Sequence, residues 1–256
     1  MSHHIVEVRD LEFTYPDGHT ALRGVSFRIE HGESVGIVGA NGAGKSTLLM
    51  HLNGCLMAAK GTVRVGNVPV TGATLPEVRR SVGTIFQDPN DQLFMPTVRE
   101  DVAFGPLNMG LPPEEVERRV RESLAAVDAG PLADRPPYRL SGGEKRAASI
   151  ATVLAMAPDI LVMDEPSAAL DPHARRKLIA LLRGFTHSKI IATHDMDLIL
   201  DLCPRTIILC AGRIAADGPT ASVLGDQALL AASGLELPFR LQACPVCQQG
   251  GRQGHG

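Results

Sequence analysis

No uninterrupted apolar run in the 256-residue chain approaches the roughly 20 residues needed to cross a bilayer, so no membrane-spanning helix is expected. A basic excess is also missing: 25 Lys and Arg stand against 28 Asp and Glu, a net charge of -3. Proteins that bind nucleic acid through its phosphates carry a basic surplus or stripe, so no nucleic-acid partner is expected. The opening MSHHIVEVRD has no apolar h-region, so no secretory leader is expected. Five cysteines, dispersed apart from one close pair, form no disulfide framework and are read as reduced thiols of a cytosolic compartment. No internal repeat and no coiled-coil heptad run is visible. At 44% apolar and 21% charged, what remains is an ordinary globular composition, long enough for a sizeable core.

Short apolar runs alternate with helical patterns along the chain. Ile5 to Phe13 reads as a strand, and Ser34 to Gly39 (SVGIVG) as a buried strand ending in glycine. STLLMHLNG, from Ser46, looks helical up to Gly54. TVRV, VGTIF, DILVMDEP, KIIATHD and RTIILC have strand character. In PPEEVERRVRESLAAVDAG, Val116, Val120, Leu124 and Val127 recur at three- and four-residue spacings, which predicts an amphipathic helix stopped by Gly130. Another helix is expected from Gly142 to about Ala155. Strands alternating with helices imply an α/β class with a mostly parallel sheet. The strand-free stretch 88–155 is read as a helical subdomain inserted into a core of about 1–87 and 156–235. Residues 236–256 are read as a flexible tail.

Gly39 to Ser46, GANGAGKS, fits G-x-x-x-x-G-K-[ST] between a strand and a helix. Glycines let consecutive N–H groups turn inward, and the following helix offers its positive end to phosphate. Gly39, Asn41, Gly42, Ala43, Gly44, Lys45, Ser46 and Thr47 are the candidate nucleotide contacts. Lys45 is expected on the β- and γ-phosphates and the Ser46 hydroxyl on Mg²⁺. Asp164 ends a later strand, where it can hold Mg²⁺ through water. Glu165 follows and points the other way, able to act on an attacking water as general base or orienting group.

LSGGEKR, Leu140 to Arg146, together with the cradle and the Asp164–Glu165 pair, resembles the ATP-binding cassette family over about residues 4–230. That resemblance implies a P-loop ATPase core with an N-terminal antiparallel β portion and an inserted helical subdomain. It implies ATP and Mg²⁺ as ligands. It gives Gln87 in IFQDP the coupling of γ-phosphate and metal to the helical subdomain. His194 in ATHD becomes the γ-phosphate sensor and Tyr15 the ring that stacks on adenine. Ser141, Gly142, Gly143 and Glu144 form a second phosphate-grasping helix start. One chain with one cradle and one signature implies a head-to-tail pair, in which each signature closes on the other subunit's nucleotide and Asp171 bridges the two. The partner would be an identical or similar chain. Read without the family, Asp171 is equally a cap for the helix starting at Pro172, and His194 a capping or core histidine.

DPNDQLF, with Asp91, Gln92, Leu93 and Phe94, resembles the ATPases of energy-coupling factor importers, which take up vitamins or cobalt and nickel ions. Such importers have a transmembrane coupling subunit, expected to dock near Gln87 to Met95, and a separate substrate-binding membrane subunit. The resemblance therefore places the chain on the cytoplasmic face of the cell membrane as a peripheral subunit. The triplet Leu93-Phe94-Met95 would dock a partner helix if exposed; buried, it would be a satellite core. Alternatives are the ATPase of another importer class, such as amino-acid uptake, and a non-transport cassette acting on ribosomes or DNA. The tandem cassettes or long coiled-coil insertion usual in the latter are absent. Cys244 and Cys247 in CPVC, with His255 near, offer fewer than the four ligands of a full metal site and are read as solvated thiols.

Overall fold

The computed structural model describes residues 4–168 and 170–242. In chain order its elements are β1 (His4–Thr14), β2 (Thr20–Glu30), β3 (Ser34–Val38), α1 (Lys45–Leu52), β4 (Lys60–Val65), β5 (Val68–Pro69), α2 (Leu75–Ser81) and β6 (Val82–Ile85). There follow α3 (Val98–Asn108), α4 (Pro113–Ala126), α5 (Gly142–Leu154), β7 (Ile160–Asp164), α6 (Pro172–Gly184) and β8 (Ser188–Ala192). The chain continues through α7 (Met196–Leu202), β9 (Arg205–Cys210), β10 (Arg213–Pro219), α8 (Thr220–Gly225) and α9 (Gln227–Ala232).

Two sheets result. The antiparallel one runs β2-β1-β4-β5, and the larger runs β10-β9-β3-β8-β7-β6. The larger sheet is parallel from β9 to β6, with β10 antiparallel at its edge. Every residue of β7 and β8 is buried. Strands covered on both faces need unbroken apolar runs, which is why ILVMD and the run through KIIA are legible as strands. On one face, Leu48, Leu49 and Leu52 of α1 join the apolar side of the antiparallel sheet. Ile150, Leu178, Leu182, Leu198 and Ile199, from α5, α6 and α7, cover the other. Between β6 and β7 there are helices and no strand, and α3, α4 and α5 share their own core of Val98, Val102, Val116, Val120, Leu124 and Ala148.

Several sequence expectations are corrected. The amphipathic helix α4 stops at Ala126 rather than Gly130. Asp128, at φ 57°, takes the left-handed position, and the Ala129 amide reaches back 2.8 Å to the Leu124 carbonyl, closing the helix two residues before the glycine. β2 and β10 lie outside the runs singled out as strands. β10 has no buried residue at all, so it has no apolar period to read. The expected tail begins with a 3₁₀ turn, Phe239–Leu241, where Arg240 grips both oxygens of Asp201 at 2.9 and 2.8 Å. Cys244, Cys247 and His255 lie outside the described residues.

The parallel strands β3, β6, β7 and β8 all point their carboxyl ends the same way. The cradle, Gln87, Asp164–Glu165 and His194 follow those four ends in turn. That is where open α/β sheets bind ligands.

A nucleotide cradle at the strand ends

From Val38 the chain turns through Gly39–Gly44 and enters α1 at Lys45. Two glycines are dictated by space. A Cβ on Gly39 would sit 2.3 Å from the Leu209 carbonyl oxygen of β9, and one on Gly44, at φ 105°, 2.6 Å from the Ala21 carbonyl oxygen. The loop is therefore pressed against both sheets with bare backbone. Gly44 leaves the α1 start without a side-chain cap, so its N–H groups remain free for an anion. Lys45 is buried, and its Nζ donates to the carbonyls of Gly39 (2.8 Å) and Ala40 (3.3 Å), which holds the ammonium over the loop.

Asp164 closes β7 and is 8% exposed, and its Oδ1 has no hydrogen-bond partner. Burial pushes its carboxyl pKa up, opposed by the Ser46 hydroxyl and, less strongly, by the charges of Lys45 and Arg146. A buried, unpaired carboxylate oxygen beside a serine hydroxyl suits a hard divalent cation such as Mg²⁺.

Glu165 sits at φ 47°, an unusual backbone for a non-glycine residue. Its amide donates to the Ala192 carbonyl, which ties the end of β7 to β8. Its carboxylate accepts from the Thr193 hydroxyl (2.7 Å) and the His194 amide (3.1 Å), and His194 Nδ1 lies 2.9 Å from Oε1. The His194 side chain is otherwise 70% exposed. The acid is thus held against the loop after β8.

These groups meet in one open cleft of about 560 Å³, lined by Tyr15, Asn41, Gly42, Gly44, Lys45, Ser46, Thr47, Gln87, Asp164, Glu165 and His194. Tyr15 stands at its mouth with its hydroxyl 3.0 Å from Thr47 Oγ1 and its ring parallel to His19 at 6.5 Å. Gly39 and Ala43 do not line the cleft, and Ala43 is buried.

The remaining candidates lie elsewhere. Ser141 caps α5 in a reciprocal box with Glu144: the Glu144 amide donates to Ser141 Oγ at 3.3 Å, and the Ser141 amide to Glu144 Oε2 at 2.8 Å. Ser141, Gly143 and Glu144 line neither the cradle nor its neighbour, whereas Gly142 lines an adjoining cleft together with Ser46, Gln87 and Asp164; Ser141 and Gly142 are exposed. Asp171 caps α6 through the amides of His173 (2.8 Å) and Ala174 (2.9 Å).

The apolar triplet is split. Leu93 is buried in the helical core, because the Leu93 amide curls back to the Pro89 carbonyl. Phe94 alone points out, 62% exposed and edge-to-face with the exposed Phe104.

Three roles were not anticipated. Thr193 holds Glu165, and Gln92 ties the loop after β6 to α5. Arg146, within LSGGEKR and 3% exposed, donates to the Phe86 and Gln87 carbonyls. A signal existed for Arg146: an arginine as the fifth residue of a helix whose inward face is apolar must bring its partners with it.

Comparison with known proteins accords with this geometry. The family described as ABC transporter matches residues 22–168. A putative ABC transporter ATP-binding protein of Geobacter sulfurreducens is 65% identical over 96% of this chain and 99% of its own. The energy-coupling factor transporter ATP-binding protein EcfA of Methanocaldococcus jannaschii is 46% identical over 92% and 86%. Among solved structures, cbiO1 of Clostridium perfringens, described as part of the ABC transporter complex cbiONQ, has a TM-score of 0.78 at 36% identity, covering 90% of this chain and 94% of its own. A cassette solved as a dimer in a post-hydrolysis state with ADP and Pi has a TM-score of 0.77 at 29% identity, covering 84% and 98%. The chain belongs to the ABC transporter family and is its ATP-binding, ATP-hydrolysing component.

Proposed function

We propose that this ATPase works as one half of a head-to-tail pair that powers an energy-coupling factor type importer, carrying cobalt or nickel ions or a vitamin. The observation that carries the paired reading is a division of labour within the chain. The cradle has its phosphate and cation groups in one cleft, while the second phosphate-grasping helix start lines no part of it: Gly142 reaches only the adjoining cleft beside Ser46, Gln87 and Asp164, and the Ser141 cap is exposed. A second copy placed head to tail would bring that helix start onto the open side of the cleft. The relatives named EcfA and cbiO1 support the importer class.

In this reading Tyr15 stacks on adenine, and the loop N–H groups and Thr47 take the phosphates. Lys45 exchanges its two carbonyl partners for the β- and γ-phosphate oxygens. Ser46, Gln87 and Asp164 would hold Mg²⁺, and when bound it neutralises charge building on the phosphates. Glu165 must leave Thr193 and the His194 amide to reach a water in line with the γ-phosphorus; there it orients the water or takes its proton as the P–O bond to ADP breaks. His194, mostly exposed here, is free to follow the γ-phosphate. Asp171, beyond its cap, would bridge the pair. The coupling subunit would dock near Gln87 to Met95, with a separate substrate-binding subunit choosing the cargo, at the cytoplasmic face of the membrane. Among the described residues no helix is long and apolar enough to cross a membrane, which suits a peripheral role.

Glu165→Gln tests the reading. It should bind Mg-ATP, lose at least about 100-fold in turnover and accumulate as a dimer in sedimentation. Full turnover, or a monomer under saturating Mg-ATP, would overturn it.

A further inference from the structure

The loop after β6 carries Gln87 into the nucleotide cleft, and it is bound to α5 at several points. Arg146 Nη1 donates to the Phe86 carbonyl at 2.6 Å, and Nη2 donates to the next carbonyl, that of Gln87. The Gln92 amide nitrogen donates to Ser149 O and Thr152 Oγ1, each at 2.7 Å, while its oxygen accepts from the Phe86 amide at 3.3 Å. Lys145 Nζ reaches Asn90 Oδ1 at 2.7 Å.

Arg146 is the strongest of these attachments. It is 3% exposed and forms no direct ion pair among the described residues, so its buried charge is met at contact by the loop carbonyls and only at longer range by Asp88 and Asp164, with Nε left unpartnered. Charge-assisted bonds from a rigid fork to two successive carbonyls fix the backbone on either side of the Gln87 Cα more firmly than neutral bonds would. The same helix begins with the capping box at Ser141, one turn away.

We propose that Arg146 is a positioning residue that locks the Gln87 loop to the signature helix, so that one chain's Ser141–Gly143 engaging the other chain's nucleotide sets the geometry of its own cleft. This rests on the paired reading above. One turn of α5 then touches both nucleotides of the pair: its N-terminus the partner's, its Arg146 the resident one through Gln87. A displacement of the helix start is delivered to Gln87 without slack, and the two sites fire cooperatively.

The test uses the full chain with Arg146→Met and Arg146→Lys. Glu165→Gln is assayed first for the ATP-dependent dimer; if none forms, the paired reading fails, and with it the cross-site role. Given a dimer, Arg146→Met should keep the calorimetric ATP affinity within about twofold, lower kcat by about tenfold or more, and bring the Hill coefficient for ATP towards one. Arg146→Lys, able to serve one carbonyl but not both, should fall between, and it carries the test if the methionine variant does not fold. Adding Arg146→Met to Gln87→Ala should cost no further activity, because both act through the same side chain. The proposal is overturned by unchanged kcat and cooperativity, by losses that multiply in the double variant, or by ATP affinity and melting temperature falling together with kcat in both Arg146 variants.

Discussion

At the floor of the cleft Asp164 keeps a buried carboxylate oxygen that nothing among the described residues satisfies. In the proposed reading the group waits for Mg²⁺, and without it the folded protein bears the cost of the unpaired oxygen. Burial raises its pKa, so the folded state binds this proton more tightly than the unfolded chain does. The sign follows: the group favours folding below the ordinary carboxylate range, and that contribution declines as pH rises through the ordinary and then the folded pKa. At neutral pH the charged form destabilises the empty protein. Asp164→Asn should therefore raise the nucleotide-free melting temperature by the ~2–4 °C that about 1 kcal/mol produces in a domain of this size. The gain should shrink as the pH falls, and Mg-dependent hydrolysis should be lost. Scanning calorimetry across pH decides it, and a lower melting temperature at neutral pH would contradict the account.

At the scale of elements, the loop between β6 and α3 presents an exposed aromatic ring and holds it stiff. Asp101, buried in α3, accepts from the amides of Phe94 (2.9 Å) and Met95 (3.0 Å), so the exposed Phe94 ring is set against Phe104 by a fixed backbone. Leu107, 59% exposed, is a third large apolar side chain here, on α3 one turn beyond Phe104. Replacing Phe94 and Phe104 by Ser together should release the protein from its membrane complex while leaving the isolated subunit's ATPase rate within about twofold, since neither ring enters the cleft. A complex that purifies intact would show that the membrane subunit docks elsewhere. This loop also shows what the sequence could and could not supply. Three consecutive apolar letters signalled a surface or a core, and the answer was both. In a tight turn adjacent side chains diverge, and which one turns inward is decided by the Leu93–Pro89 bond and by the space α3 leaves. β7 and β8 were readable because burial on both faces demands a plain run of apolar letters. β10 was not, because it buries no residue. The end of α4 was missed because Asp128, rather than a glycine, adopts the left-handed turn.

For the whole molecule, linear order showed the parts of the site but not their partition. Gly39–Thr47, Gln87, Asp164, Glu165 and His194 converge because four parallel strands end on one edge of the sheet. Ser141–Gly143, close in sequence to Arg146, do not line that cleft, with Gly142 reaching only the one adjoining it, and no spacing rule reveals this without a structure. The partition can be tested without any structure of the pair. A Lys45→Ala chain keeps an intact signature and loses its cradle; a Ser141→Ala chain keeps its cradle and weakens its signature. Each alone should be nearly inactive. If composite sites form only across two chains, an equal mixture assembles about half mixed dimers, each with one cradle facing one intact signature. Hydrolysis should then recover to at most roughly a quarter of the unsubstituted rate for independent sites, and to less if Arg146 couples them. Recovery should rise steeply as the mixture is concentrated. If each chain served its own nucleotide, mixing would only average two poor enzymes and no gain would appear at any concentration.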